Sequence, residues 1–402
     1  MTDNRYRRLP VGIQSFKVIR EENYLYVDKS DIVWNMVNLG DKYNYLSRPR
    51  RFGKSVLVDT LESYLEGRKD LFEGLKIMQL EKDWKQYPVI RLDMSRGGAN
   101  EETLRSYLNL RFKDYEEKYN ITPDPTAMLA DRFHAIIATA YKQTGLRVAV
   151  LIDEYDSPLQ HSWRTPEHEK CTGVYREVFA ILKADDEYEH FVFITGITKF
   201  TQISLFSVLN NLSNISFTPE YAAICGITEE EIEENFMPEI RQMSEANNWS
   251  VQETHDRLKA YYDGYHFSDD NMVDIYNPYS LVNALKQRKI KNFWASSGAT
   301  SLLPKFVDNA ELRISNFENC SIMRNTLELS DVSGGGAELF LYQSGYLTIK
   351  ESDEFGYILG FPNKEVKQAL YETVLPALAM RSENEIQSLQ ACLYRYLGTG
   401  QI

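Results

Sequence analysis

Residues 43–55, YNYLSRPRRFGKS, constrain this chain more than any other segment. A strand-length apolar run, Tyr43–Leu46, leads into a basic loop, then into Gly53-Lys54-Ser55, then into a helical pattern over Ser55–Leu65. A strand that turns through glycine into a helix aims the helix N-terminus at whatever the loop encloses. Its unpaired N–H groups and dipole favour an anion there. The phosphate-loop pattern is G-x-x-x-x-G-K-[ST]. Its second half is intact, while Arg48 stands where the first glycine would be. That change restricts the loop's dihedral freedom but removes no ligand. In this chemistry the backbone of Arg50, Arg51, Phe52 and Gly53 cradles phosphates, Lys54 reaches the outer ones, and Ser55 offers a hydroxyl to Mg²⁺.

Charge distribution points the same way. The 402 residues carry 45 basic and 58 acidic side chains, a net charge of −13, yet residues 1–54 hold 11 basic and 6 acidic ones. The acidic whole argues against general binding of duplex nucleic acid, which rests on neutralising phosphates. The basic amino-terminal part suits a local anion. Cys171, Cys225, Cys320 and Cys392 form no CxxC pair and the histidines form no HxxxH pair, so neither a structural zinc site nor a disulfide framework is expected. No apolar run approaches the ~20 residues that span a bilayer, and the first ten residues lack a signal-peptide core; a cytoplasmic location is the expectation.

Phosphate chemistry with Mg²⁺ also needs a carboxylate at the end of a nearby strand. Val148–Ile152 is a continuous apolar run followed by Asp153 and Glu154. Buried parallel strands read in this way, and ligands of such sheets bind beyond the strands' carboxyl ends. Asp153 is the candidate Mg²⁺ ligand. Glu154 is the candidate base that orients and deprotonates an attacking water. A further strand, Phe191–Thr195, offers Thr195 as a contact to the γ-phosphate or the water, with Thr198 and Lys199 as alternates. An arginine completing the site would come from Arg50 or Arg51 in the loop, or from Arg176 of a neighbouring copy.

Strands Tyr43–Leu46, Val89–Asp93, Val148–Asp153 and Phe191–Thr195 alternate with helical stretches Glu101–Tyr119, 125–143 and Thr172–Ala184. This predicts an α/β core with a mainly parallel sheet over residues 1–220. Thr228-x-x-Glu231 is a capping box and opens a helical region over 221–310, with a helix–turn–helix expected within 277–310. Residues 311–402 alternate helix and short strand as a winged-helix-like unit ending in a helix from Lys364. By length, two to three domains fit.

The segments LPVGIQSFKVIREENYLYVDKS (9–30), LSRPRRFGKS (46–55), VLIDEYDSPL (150–159), FITGITKFTQISLFSVLNNLSNIS (193–216) and YNPYSLVNALKQRKIKNFWASSG (276–298) together resemble the AAA-ATPase-like family of bacterial proteins. The resemblance spans about residues 5–380. It implies a P-loop ATPase core of the additional-strand class, ATP and Mg²⁺ as ligands, and a phosphate loop of the RPRRFGK form. By the same resemblance Val11, Gly12, Ile13 and Phe16 line the base, and Asp28 and Lys29 belong to a motif, YVDKS, without a derivable role. Members are often fused to a carboxy-terminal PD-(D/E)XK nuclease-like domain. Beyond residue 365 the acidic residues Glu372, Glu383 and Glu385 are not followed by x-Lys, so no nuclease is expected from this chain. The absence of an N-K-x-D pattern favours ATP over GTP. The expected function is an ATP-binding protein, a Mg²⁺-dependent ATPase whose nucleotide state reaches its carboxy-terminal region. The alternative is a nucleotide-gated module with little turnover. A second copy of the chain and an unidentified protein are the expected partners, with neither nucleic acid nor membrane.

Overall fold

Four apolar runs and one short edge strand pair in parallel because helical crossovers separate them. The computed structural model describes residues 8–124, 126–199, 211–295, 317–329 and 336–379. Its main strands are β1 (Tyr43–Ser47), β2 (Val89–Asp93), β3 (Val148–Asp153), β4 (Glu189–Gly196) and β5 (Ser213–Asn214). They lie in the order β2-β3-β4-β1-β5, and every pairing is parallel. Thus β4 stands between the phosphate-loop strand β1 and the acidic strand β3. All six residues of β3 are buried, as its unbroken apolar run requires.

The crossover helices are those the periodicity predicts, with shifted ends. Lys54–Leu65 lies against β2 and β3, and Phe16–Glu21 packs on it. Glu101–Lys118, Leu129–Thr144 and Glu167–Ala184 pack on one another, with Phe112 and Phe133 stacked at 5.2 Å. A short helix that the sequence reading passed over, Ser157–Ser162, follows the acidic turn directly.

A helical lid follows the sheet. It is built from Glu229–Asn235, Met237–Asn247, Val251–Tyr262 and Pro278–Gln287, with a two-stranded ribbon of β6 (Ile227–Thr228) and β7 (Ile275–Tyr276). The capping box forms: the Thr228 hydroxyl accepts from Glu231 N, and the Glu231 carboxylate accepts from Thr228 N at 2.9 Å. The lid has its own core, centred on Ile232, Phe236, Ile240, Leu258, Tyr262 and Leu281. Leu25 of the amino-terminal segment belongs to that core, and Leu9, Val11 and Val27 pack against it. The amino-terminal segment therefore contributes to both bodies, with Leu25 in the lid core and Phe16 in the sheet core. The second helix expected within 277–310 falls largely outside the described residues.

The carboxy-terminal unit runs β8 (Cys320–Met323), helix Arg324–Leu329, helix Gly336–Ser344, then the hairpin β9 (Thr348–Ser352) and β10 (Gly356–Gly360), then helix Lys364–Ala379. Its sheet order is β8-β10-β9, antiparallel, which is a winged-helix arrangement. Its core is continuous with that of the parallel sheet.

Three buried carboxyls have raised pKa values, and Glu365 ties the carboxy-terminal unit to the helical region. Glu365 accepts from Phe293 N at 2.6 Å and Trp294 N at 2.9 Å, and burial pushes it up to about 7. Burial pushes Asp263 up to about 7 and Glu189 up to about 8. Such acids keep their protons in the folded chain and release them on unfolding. Stability is then fully present below their unfolded values and is lost as pH rises through the folded ones. The thermal midpoint should be higher near pH 5.5 than near pH 8.5. Glu365→Gln, neutral and close in shape, should raise the alkaline midpoint by about 2–4 °C. A scanning fluorimetry series of both proteins checks this, and a flat parent profile would contradict it.

Candidate functional site

Strand register places the site. Leu46 lies opposite Thr195 and Ile152 opposite Ile194, so β1, β4 and β3 end at one level. Beyond that edge the chain encloses a cavity of about 530 Å³. Arg50, Arg51, Phe52, Gly53, Lys54 and Ser55 line it, with Glu154 facing them and Val11, Gly12 and Ile13 on the far wall.

The turn into the helix needs glycine at Gly53, whose φ is +92° at the N-cap, a region costly for other L-residues. The helix Lys54–Leu65 then points its N-terminus into the cavity. Arg51 and Glu154 also have positive φ, +71° and +49°. Non-glycine residues held there mark backbone strain, and strain of this kind collects at functional sites.

Lys54 is buried. Its Nζ donates to the Arg48 and Pro49 carbonyls at 3.0 and 3.2 Å and lies 3.8 Å from the Glu154 carboxylate. Lys54 of the loop and the acidic pair meet across β4. Asp153 sits beneath them, buried, with Oδ1 accepting from Glu154 N at 2.9 Å. Burial and the neighbouring Glu154 charge push it up to about 6, against a hydrogen bond from Ser55 and the charge of Lys54. The Ser55 hydroxyl and the Asp153 carboxylate are thus neighbours. Two hard oxygen donors at a phosphate cradle fit Mg²⁺, which takes its remaining ligands from phosphate and water.

Other predicted residues lie elsewhere. Phe16 is not on the cavity wall; it is fully buried, edge-on to Tyr26 at 5.0 Å and against Phe72 at 4.9 Å. Thr195 is not there either, because its hydroxyl donates to the Leu46 carbonyl at 2.8 Å inside the sheet. The Thr198 hydroxyl is held by the buried Asp156 carboxylate, which also accepts from Ile197 N. Lys199 turns to the winged-helix unit: its N–H donates to Gln343 and its Nζ to the Glu328 carbonyl. The polar residues that do face the cavity near Glu154 are Ser95, Ser157 and His161, from β2's end and the short helix. Arg176 is half-exposed and lies 3.3 Å from Glu169 on its own helix.

Arg48, at the vacant glycine position, is no cradle residue. It is buried, donates to the carbonyls of Ser47, Ser216 and Tyr221, and stacks over Phe267 at 4.2 Å. Phe52 is edge-on to Tyr265 and Phe267, and Arg51 lies over Tyr279 at 4.8 Å. The loop is thereby fastened to the lid, whose Ile224–Ile227, Phe236, Tyr279, Val282 and Asn283 complete the cavity wall. Sequence reasoning missed these residues. The capping box at Thr228 and the segment 276–298 were the available signals.

Strand order, phosphate loop and acidic pair define a P-loop NTPase core of the additional-strand class. Residues 10–206 match the family model AAA-ATPase_like, described as "Predicted AAA-ATPase". The uncharacterized protein in the vnfD 5′ region of Azotobacter chroococcum mcd 1 is 32% identical over 398 residues, 95% of this chain and 74% of that one. The chain belongs to the AAA-ATPase-like family. Among solved structures it is similar to the Aeropyrum pernix ORC2 protein in ADPNP–ADP complexes (12% identity, TM-score 0.34, 94% of this chain and 98% of that one). It is also similar to the Aeropyrum pernix ORC1 protein in complex with DNA (13% identity, TM-score 0.31, 86% and 91%). At these scores the likeness carries no weight beside the strand order itself. Among the described residues no helix is long and apolar enough to cross a membrane.

The surroundings of Arg48 generate a test. Arg48→Ala removes the donor from one buried and two part-buried carbonyls, at about 1–3 kcal/mol for each left unpaired. Chemical denaturation should therefore show a loss of about 3 kcal/mol or more. A phosphate ligand would behave in the opposite way, with stability kept and nucleotide affinity lost.

Proposed function

We propose that the chain binds ATP with Mg²⁺ and hydrolyses it slowly, and that its nucleotide state is passed to the winged-helix unit. The observation that carries this reading is the convergence of Gly53-Lys54-Ser55, at a helix N-terminus, with Asp153-Glu154, one strand away. Lys54 would exchange its loop carbonyls and Glu154 for the outer phosphates. Ser55 and Asp153 would hold Mg²⁺, which supplies charge neutralisation at the phosphate oxygens. Glu154, released from Lys54, would accept the proton of the attacking water. The base would lie among Val11, Ile13, Ile227 and Val282 on the lid side. Relay is supported by Lys199, which leaves the end of β4 and is bonded to Gln343 and Glu328 of the winged-helix unit.

A second reading is occupancy without turnover, in which Glu154 stays beside Lys54 after the ligand binds. Two variants separate the readings. Lys54→Ala should weaken ATP–Mg²⁺ binding by about tenfold or more in calorimetry. Glu154→Gln should keep nucleotide and lower phosphate release by about a hundredfold or more, because the amide cannot take the proton. Equal affinity of Lys54→Ala and parent would remove the nucleotide reading. Parent-like turnover in Glu154→Gln would remove Glu154 as base.

Assembly adds one more expectation. Arg176 is half-exposed, so a neighbouring copy could receive it as the charge-stabilising arginine. Hydrolysis per chain should then rise with protein concentration, and Arg176→Ala should lower turnover with ATP affinity unchanged. A concentration-independent rate with full activity in Arg176→Ala would exclude this.

A further inference from the structure

The motif YVDKS, residues 26–30, joins two bodies. Asp28 and Ser30 face the sheet body: the Asp28 carboxylate accepts from Lys76 N at 2.7 Å, and the Ser30 hydroxyl accepts from Ile77 N at 3.0 Å. Lys29, between them, faces the lid. Its Nζ donates to Glu231 at 2.6 Å, and the two side chains are only 10% and 16% exposed. The other oxygen of Glu231 accepts from Thr228 N and so caps the lid helix Glu229–Asn235. One carboxylate thus fixes the start of that helix and holds the amino-terminal segment to it.

Both sides of this ion pair are cavity walls. Leu25, Tyr26, Val27 and Lys29 line the cavity from one direction, and Gly226 and Ile227 from the other. Of these, Leu25, Val27 and Ile227 are apolar and belong to or pack on the lid's core, whereas the phosphate loop stands on the sheet body. An apolar slot beside a phosphate cradle suits a flat base.

We infer that Lys29 and Glu231 are a positioning pair for the nucleotide base, holding the amino-terminal segment against the lid so that the slot keeps its width. This rests on the nucleotide reading above. Truncating one partner of a nearly buried ion pair leaves the other charge uncompensated, so the two walls part even though neither residue needs to touch the base.

Two probes distinguish this from a general structural role: ATP–Mg²⁺, which has a base, and tripolyphosphate–Mg²⁺, which has none. Lys29→Met keeps side-chain length. Glu231→Gln keeps the helix cap through its amide oxygen and is the safer variant should Lys29→Met fold poorly. Each should weaken ATP binding by about tenfold or more and leave tripolyphosphate affinity within twofold of the parent. The double variant should be no worse than the more damaging single one, as expected of residues acting on one contact. Equal loss for both probes would make the pair merely structural and overturn the inference. So would unchanged ATP affinity in both single variants. Lys54→Ala must weaken both probes; a parent that binds neither refutes the nucleotide reading itself, a result separate from any behaviour of Lys29 or Glu231.

Discussion

The level at which β1, β4 and β3 end is the constraint on which the rest depends. A strand buried at every position, as β3 is, has two apolar faces. Slipping it by one residue exchanges those faces at little cost in burial, unlike a strand with one polar face. Its level must be fixed elsewhere, and the strand ends do this. Tyr155 N donates to the Thr195 carbonyl at 3.0 Å, Arg48 N to the Gly196 carbonyl at 3.2 Å, and the Asp156 carboxylate takes Ile197 N and Thr198 N. The bonds that bring Lys54 within 3.8 Å of Glu154 are therefore backbone and buried-carboxylate bonds at the edge of the cavity. They occupy Thr195, Thr198 and Asp156, which explains why those polar residues face inward.

The sheet and the phosphate loop were legible because their signals are local. A continuous apolar run, a glycine at a left-handed turn and two acids after a strand each declare themselves within about ten residues. Thr195 shows the limit of such signals: period and spacing put a hydroxyl at a strand end, but only the neighbouring strand reveals that Leu46 O takes it. Phe16 shows the same limit, since an aromatic ring at helical spacing reads alike whether it meets a base or Phe72. The lid walls were least legible. They are assembled from segments near residues 11, 25–29, 226, 236 and 279–283, and no periodicity links positions so far apart.

The amino-terminal excess of basic residues also reads differently once partners are known. The sequence suggests a positive face turned toward an anion. In the structure Arg48 is bonded inward to three carbonyls, Arg51 covers Tyr279, and Lys29 is bound to Glu231. Much of the local charge is fastening between the phosphate loop, the amino-terminal segment and the lid.

The winged-helix unit is held in the same economical way. From Ala337 to Ser344 every residue of its second helix except Glu338 is buried. Tyr342 stacks on Phe217, Gln343 accepts from Lys199 N, and Gly345 sits where an added Cβ would come within 2.6 Å of Pro49 in the phosphate loop. A winged helix that reads a duplex does so with this helix in a groove. Here the helix is inside, against the end of β4 and the start of the phosphate loop, so it cannot enter a groove while docked. The hairpin turn, with Glu351, Asp353, Glu354 and Phe355, is exposed, an acidic tip that phosphates repel. Some of the unit's contacts are thus to the end of β4 and to Pro49, so a shift of Pro49 or Lys199 would act on the helix Gly336–Ser344 directly.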